Sequence, residues 1–189
     1  MTDRQPKGNS PLDMEVFFAE QQDPWGYKYH PEDIRRANII EKTLSQYPIS
    51  RLLDIGCAEG YITQFICSCA DYTLGIDVSP TAIERAIYSY GKLCDFQIGD
   101  ILTFRSETKF DAVTITGVLY YVTDEFDMVF STLDNVLRSG GILLTSHIQE
   151  SSEEDGYLDR FIKKGYHHER SFQFTYKRFV QSLNVFTMP

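Results

Sequence analysis

The sequence predicts an α/β protein, a doubly wound and mostly parallel sheet finished by a C-terminal antiparallel hairpin. Three observations carry that prediction. Short apolar runs alternate with helix-patterned stretches from about residue 51 to residue 147, the rhythm of strands and crossover helices. The first run, Leu52-Leu53-Asp54-Ile55, enters the turn Gly56-Cys57-Ala58-Glu59-Gly60, whose glycines allow a backbone to approach a nucleotide-like ligand closely. Finally, Tyr166 to Phe174 and Arg178 to Met188 are β-rich and meet around Thr175-Tyr176-Lys177, which reads as a hairpin.

Taken in order, residues 1–10 are polar, with Pro, Gly, Asn and Ser, and read as a flexible tail. Leu12, Val16 and Phe17 have helical spacing, and the following Asp23-Pro24-Trp25-Gly26-Tyr27-Lys28-Tyr29-His30-Pro31 stops that helix with prolines and a glycine. Pro31 to Tyr47 is expected to be helical, with Ile34, Ala37, Ile39, Ile40 and Leu44 as its apolar face. Strands follow at Arg51 to Ile55 and Tyr72 to Val78, separated by a helix from about Gly60 to Ala70. Ser79-Pro80 supplies a cap and a first-turn proline for a helix running to Tyr90 and stopped by Gly91. Leu93 to Ile98 and Phe110 to Thr116 are the third and fourth strands, and a helix from Thr123 or Asp124 ends near Arg138. Gly140-Gly141 is expected to turn into a fifth strand, Ile142 to His147. An acidic loop over Glu150 to Asp155 and a short helix from Tyr157 to Lys164, stopped by Gly165, precede the hairpin. The expected organisation is a single domain over 1–189, with 11–50 as an N-terminal helical lid region.

Composition narrows the function. A 42% hydrophobic and 24% charged chain of 189 residues has the makings of one globular core. Its net charge of −9 would repel a polyphosphate, and no Lys/Arg cluster compensates, so nucleic acid is not an expected partner. No apolar run approaches the roughly 20 residues of a bilayer span, and the start lacks a secretory pattern. No membrane partner and a cytoplasmic location are therefore expected. Cys57, Cys67, Cys69 and Cys94 read as reduced thiols, and Cys67-Ser-Cys69 lacks the spacing of a usual zinc knuckle, so no metal is expected.

The chemistry concentrates at strand ends. Asp77 closes Gly75-Ile76-Asp77-Val78, 23 residues past Asp54, the separation at which an acidic residue can accept both hydroxyls of a ribose. Asp100 directly follows the third strand. The turn order Asp54-x-Gly56-x-Ala58-x-Gly60 matches the dinucleotide fingerprint poorly, which disfavours a pyrophosphate and an NAD-type oxidoreductase.

That turn resembles the first motif of the class I S-adenosylmethionine-dependent methyltransferases, with Ala58 in place of the middle glycine. The resemblance continues in order through GIDVSP at 75–80, IGDIL at 98–102, FDAVTITGVLYYV at 110–122 and LRSGGILLTSH at 137–147. It implies a seven-stranded Rossmann-like sheet, S-adenosyl-L-methionine as cofactor and methyl transfer to a small-molecule acceptor. Carried over by position, Gly56, Cys57 and Gly60 would flank the methionine part, with Asp54 bonding nearby. Asp77 would hold the ribose, Val78 would pack on adenine, and Asp100 with Ile101 would address the adenine edge. Thr116 and Gly117 would meet the methionine end, and Leu119, Tyr120 and Tyr121 would border the transferring methyl.

The aromatic loop with the helix after it is similar to the N-terminal region of small bacterial nodulation-type N-methyltransferases acting on sugar amines. Trp25, Tyr27, Tyr29 and Tyr121 are accordingly expected on the acceptor side, where aromatic faces suit sugar C–H surfaces. His147, then His30 and Tyr120, are the expected bases if one is needed. O-methylation of a small hydroxylated metabolite and a catalytically silent cofactor-binding domain stay open as alternatives. The oligomeric state is not legible.

Overall fold

A computed structural model describes residues 6, 8–149, 154–176 and 179–189. The tail expected over 1–10 and the acidic loop expected over Glu150 to Asp155 therefore lie mostly outside the described residues, and the last two residues of that loop are helical.

In chain order the elements are α1 (Pro11–Glu20), α2 (Pro31–Leu44), β1 (Ile49–Ile55), α3 (Thr63–Ile66), β2 (Ala70–Asp77), α4 (Pro80–Tyr90) and β3 (Asp95–Ile98). They continue with β4 (Phe110–Thr116), α5 (Phe126–Val136), β5 (Leu137–Gln149), α6 (Glu154–Lys163), β6 (His167–Tyr176) and β7 (Phe179–Thr187). Single 3₁₀ turns sit at Tyr27–Tyr29, Cys67–Cys69 and Leu119–Tyr121. One seven-stranded sheet has the order β3-β2-β1-β4-β5-β7-β6. β1 pairs in parallel with β2 and β4, and β7 inserts antiparallel between β5 and β6.

Helix starts follow local chemistry. Ser10 caps α1 by accepting from the Asp13 N–H, and Asp13 returns the bond in a capping box. Ser79 caps α4 by accepting from the Ala82 N–H at 3.1 Å, with Pro80 next in line.

Two expectations fail for identifiable reasons. The helix expected over 60–70 contracts to four residues and a 3₁₀ turn, since the glycine turn runs on to Ile62 before α3 begins and β2 already starts at Ala70. Gly140-Gly141 is not a turn before β5 but an irregularity within it. One residue of β4 there faces four of β5, between the Phe110–Leu137 and Ala112–Ile142 pairs. Gly140 has φ +68°, and reciprocal backbone bonds with Met188 hold this segment on β7.

The side-chain period of two splits the core. Leu53, Ile55, Val113, Ile115 and Leu143 face α5 and α6, where Phe130, Leu133, Val136 and Phe161 are buried. Leu52, Ala112, Ile142 and Leu144 face the opposite way, onto Ala37, Ile40 and Leu44 of α2. Each such leucine or isoleucine contributes about 1.5–3 kcal/mol by leaving water. Strand order reverses between β1 and β4, so a crevice opens beyond their C-terminal ends. Among the described residues no helix is long and apolar enough to cross a membrane.

Candidate functional site

A pocket occupies that crevice. Asp54, Gly56 and Cys57 line it from the end of β1, Asp77 and Val78 from β2, and Asp100 with Ile101 from beyond β3. Thr116 and Gly117 line it from β4, and Tyr120 and Tyr121 from the 3₁₀ turn that follows.

The glycine turn is held by the end of its neighbouring strand. Gly56 and Cys57 both donate their N–H to the Ile76 carbonyl, at 2.8 and 3.0 Å. Asp77 accepts from the Ala58 N–H at 2.9 Å through Oδ2 and from the Ser79 N–H at 3.0 Å through Oδ1. Gly56 has φ +75°, and a Cβ there would come within 2.2 Å of Val118 Cγ2. Ala58, in place of the expected middle glycine, also takes a left-handed φ of +50°. On the far wall, Gly117 at φ +73° donates to the Ser146 carbonyl at 2.7 Å, which ties the β4 turn to β5.

Burial sets the electrostatics. Asp54 is 1% exposed and accepts from Thr63 Oγ1 at 2.6 Å and Thr114 Oγ1 at 2.7 Å. Desolvation raises its pKa against the lowering effect of those hydroxyls and of Arg36. Desolvation likewise pushes Asp77 up to about 6, over the opposing backbone bonds. Each Asp77 oxygen keeps a lone pair for a further donor. The Cys57 thiol is pushed well above its usual range, chiefly by burial and then by Asp77, and is no nucleophile. Asp100 is half-buried and uses Oδ1 to accept from the Leu102 N–H at 2.8 Å.

The N-terminal segment supplies the remaining wall through Pro11, Met14, Phe18, Trp25 and Tyr27. Trp25 packs on Phe17 and Phe18 at 5.1 and 5.3 Å between centroids and stacks on Tyr27 at 5.8 Å. It both plugs the α1 contact and faces the pocket. Charged ties fix this segment. Glu15 accepts from Ser79 Oγ, Thr81 Oγ1 and the Thr81 N–H at the start of α4. Arg85 donates to the Phe18 carbonyl at 2.9 Å and pairs with Glu59 at 2.9 Å, and Glu59 accepts from the Asp23 N–H. Asp23 itself accepts from the Tyr27 and Lys28 N–H groups, which curls the aromatic loop.

Five expected site residues do not line the pocket: Gly60, Tyr29, Leu119, His30 and His147, with Leu119 buried in the core instead. Gly60 has a packing reason for its missing side chain, since a Cβ would sit 2.9 Å from Phe96. Tyr29 is 79% exposed. His30 sits at the N-terminal boundary of α2 with its ring near Gly26.

His147 is not at a strand end, because β5 runs on to Gln149. Its ring, 3% exposed, lies edge-on to Tyr157 of α6 at 5.2 Å, and its Nδ1 has no hydrogen-bond partner among the described residues. Burial lowers its pKa from 6.5. The unfolded chain therefore takes up a proton there that the folded chain resists, so stability falls as pH drops below about 6.5 and is retained above it. The expected loss is about 1 kcal/mol per pH unit until the folded pKa is reached. Urea titrations at pH 7.5 and 5.5 check this, and the difference between them should shrink in His147→Gln.

Among the pocket residues that escaped the sequence reading, one is charged. Arg36 lines the pocket at 4% exposure, with Nη2 3.4 Å from Asp33 Oδ1 and its guanidinium 4.9 Å over the Tyr27 ring. The signal was available. The buried stripe of α2 is Asp33, Arg36, Ala37, Ile40, Thr43 and Leu44, whereas Ile34 is 43% exposed. A charged pair one turn apart on an apolar stripe is unusual enough to mark a site.

Strand order and crevice define a chain of the class I methyltransferase fold. A crystal structure of the N-methyltransferase NodS from Bradyrhizobium japonicum WM9, in complex with S-adenosyl-L-homocysteine, superposes at a TM-score of 0.81 with 22% identity, covering 96% of this chain and 99% of that one. The family model for nodulation protein S (NodS) matches residues 14–151, and the chain belongs to that family. It is 32% identical over 135 residues to nodulation protein S of Rhizobium tropici, covering 69% of this chain and 57% of that protein. The Sinorhizobium fredii protein is 30% identical over 143 residues, covering 72% and 66%. The chain thus spans somewhat more than half the length of the curated relatives it matches.

Proposed function

We propose that this chain transfers a methyl group from S-adenosylmethionine to the amine of an amino sugar or oligosaccharide. The carrying observation is what lines the pocket: carboxylates at the ends of β1, β2 and β3, together with aromatic rings from the N-terminal segment and from the turn after β4. Family membership and the S-adenosyl-L-homocysteine bound to the Bradyrhizobium NodS support the same cofactor.

The residues fit that cofactor. Asp77 has lone pairs left for a ribose diol, Val78 offers an apolar face for adenine, and Asp100 and Ile101 stand beside it. Gly56, without a Cβ, leaves the approach to the methionine portion open. When bound, the cofactor supplies a methyl carbon on a sulfonium that a neutral nucleophile can displace.

The chain's own task is to align the acceptor and keep water out. Trp25, Tyr27, Tyr120 and Tyr121 make the acceptor wall, and residues 11–50 serve as its lid. Tyr120 places its hydroxyl 3.7 Å from the position a Cβ would take on Gly117, within reach of the β4 turn. No histidine is among the described pocket residues, and burial pushes the Tyr121 phenol up to about 12. A hydroxyl acceptor would need a base that stands unprotonated at neutral pH, and a phenol held at about 12 keeps its proton. An amine needs only to be neutral when it attacks, its proton left in bulk water, and the ammonium formed by the transfer can give up a proton to water afterwards, which favours nitrogen.

The test is calorimetry with S-adenosylhomocysteine, followed by mass spectrometry after incubation with S-adenosylmethionine. Acceptors would be a glucosamine oligomer with a free amine, its N-acetylated form and a small catechol. Methylation of the free amine alone is the expected result. Transfer to the catechol would replace the amine by a hydroxyl acceptor, binding without turnover would indicate a silent domain, and absence of binding would refute the cofactor.

A further inference from the structure

The three carboxylates of the pocket are held in different ways. Asp77 and Asp100 accept from backbone N–H groups of the turns beside them. Asp54 is held by side chains: Thr63 Oγ1 donates to its Oδ2 at 2.6 Å and Thr114 Oγ1 to its Oδ1 at 2.7 Å. Both threonines are 0% exposed. The arrangement follows from the ladder. Thr114 is the β4 residue paired with Asp54 of β1, so the two side chains leave the sheet side by side on one face. Thr63 opens α3, where the chain comes back to the end of β1 after the glycine turn. The Leu53 carbonyl is a second acceptor for Thr114 Oγ1, but at 3.5 Å that bond is marginal and the hydroxyl proton belongs to Asp54. Two donors on opposite oxygens suit an ionised carboxylate, which only accepts.

We propose that Thr63 and Thr114 are positioning residues for cofactor binding: they fix Asp54 as an oriented carboxylate whose charge faces the cationic amino group of the cofactor's amino-acid end. This rests on the S-adenosylmethionine reading. Burial works against the charge on Asp54, and the Thr63 and Thr114 bonds, then Arg36, work for it. The other titratable groups that this charge reaches are Asp77 and the thiols of Cys57 and Cys94, and burial keeps both thiols neutral. Without either hydroxyl the carboxyl would keep its proton to a higher pH and lose one of the two bonds that set its orientation.

The experiment is calorimetry across neutral and mildly acidic pH with S-adenosylhomocysteine and the analogue that lacks only its α-amino group. Contacts to ribose and adenine are common to both ligands, so the ratio of the two affinities reads the amino end. Above neutral pH the wild-type chain should prefer the amino-bearing ligand by about tenfold or more, the strength of one charge-assisted contact. In Thr63→Val and Thr114→Val that preference should fall, and the pH at which it disappears should rise, because a further raised pKa loses the carboxylate earlier as pH drops. The deaminated ligand should bind these variants about as it binds wild type. Thr63→Ser and Thr114→Ser keep the hydroxyl and should restore the wild-type profile. Should a valine variant fail to fold, Thr63→Cys and Thr114→Cys, with a weak S–H donor in the same space, take its place and should shift the profile the same way. A ratio and pH profile unchanged from wild type, or an equal loss of both ligands, would overturn the proposal and leave the hydroxyls as packing at the end of β1. Equal binding of both ligands by the wild-type chain would overturn it with the cofactor reading intact. Binding of neither would refute the cofactor reading itself.

Discussion

Gly56→Ala is expected to lower stability by about 2–5 kcal/mol and to abolish measurable binding of S-adenosylhomocysteine. Two effects combine. The left-handed backbone at φ +75° costs an alanine roughly 1–2 kcal/mol. The new methyl would also stand 2.2 Å from Val118 Cγ2. Valine has one stiff χ1 and cannot fold its end away, so overpacking adds about 1–3 kcal/mol. Because Val118 follows Gly117 on the opposite wall, the strain would be relieved by pushing the β1 and β4 turns apart, and the pocket lies between them. Thermal melts with and without ligand would measure both consequences. A melting temperature and ligand shift equal to wild type would show that the turn yields freely and that Gly56 carries no constraint.

Much of this was legible in the sequence because local signals and tertiary demands agree. Ser79-Pro80 gave the start of α4, and Phe110 to Thr116 is β4 residue for residue, since a seven-residue stretch of apolar and β-branched residues, interrupted only by Asp111, has few other uses. The parallel arrangement followed from alternating strands and helices, and the glycine turn located the crevice. Asp54, Asp77, Asp100, Thr116 and Gly117 do meet around one pocket, because each lies at or just past the C-terminal end of a strand and a parallel sheet brings such ends to one edge.

What escaped depended on register and rotation, which sequence spacing constrains weakly. Taking Ile34 for the packed face of α2 hid Arg36; Ala37, Ile39, Ile40 and Leu44 do pack, but the buried stripe takes in Asp33 and Arg36 in place of Ile34. Hydrophobicity alone favours isoleucine, but the pocket beside α2 accommodates a paired guanidinium. His147 was placed at a strand end because the apolar run stops there. Pairing with β7 from Ile142–Thr187 to Gln149–Val180 carries β5 past it, and strand alternation turns the ring toward α6 and away from the pocket. Gly60 looked like part of the ligand turn, yet it is required by Phe96 and Tyr90, residues distant in sequence.

The second large effect concerns Asp77. Its pKa, raised from 3.8 to about 6, means that the folded chain ionises this group at a cost of about 3 kcal/mol relative to the unfolded chain. The sign is that of a buried acid: the folded form holds the proton more tightly, so ionisation between pH 3.8 and about 6 lowers stability as pH rises, and the cost persists above that window. A fold that keeps a costly carboxylate at neutral pH has it available for donors, and a ribose diol supplies two. Cofactor binding should therefore stabilise the charged form, pull its pKa back down and release a proton near pH 6. Affinity for S-adenosylhomocysteine should fall as pH drops through that value. Asp77→Ala should weaken binding by about 1–3 kcal/mol at pH 7.5, the cost of unmade charge-assisted bonds. The same change removes the acceptor that holds the Ala58 and Ser79 N–H groups. The turn would loosen, and the loss belongs at the upper end of that range. Calorimetry in two buffers of different ionisation enthalpy, at pH 6 and 7.5, separates proton release from the contact itself. A variant that binds as tightly as wild type, or a wild-type affinity flat across pH 5 to 7.5, would remove Asp77 from the ribose and leave it as the brace of the glycine turn.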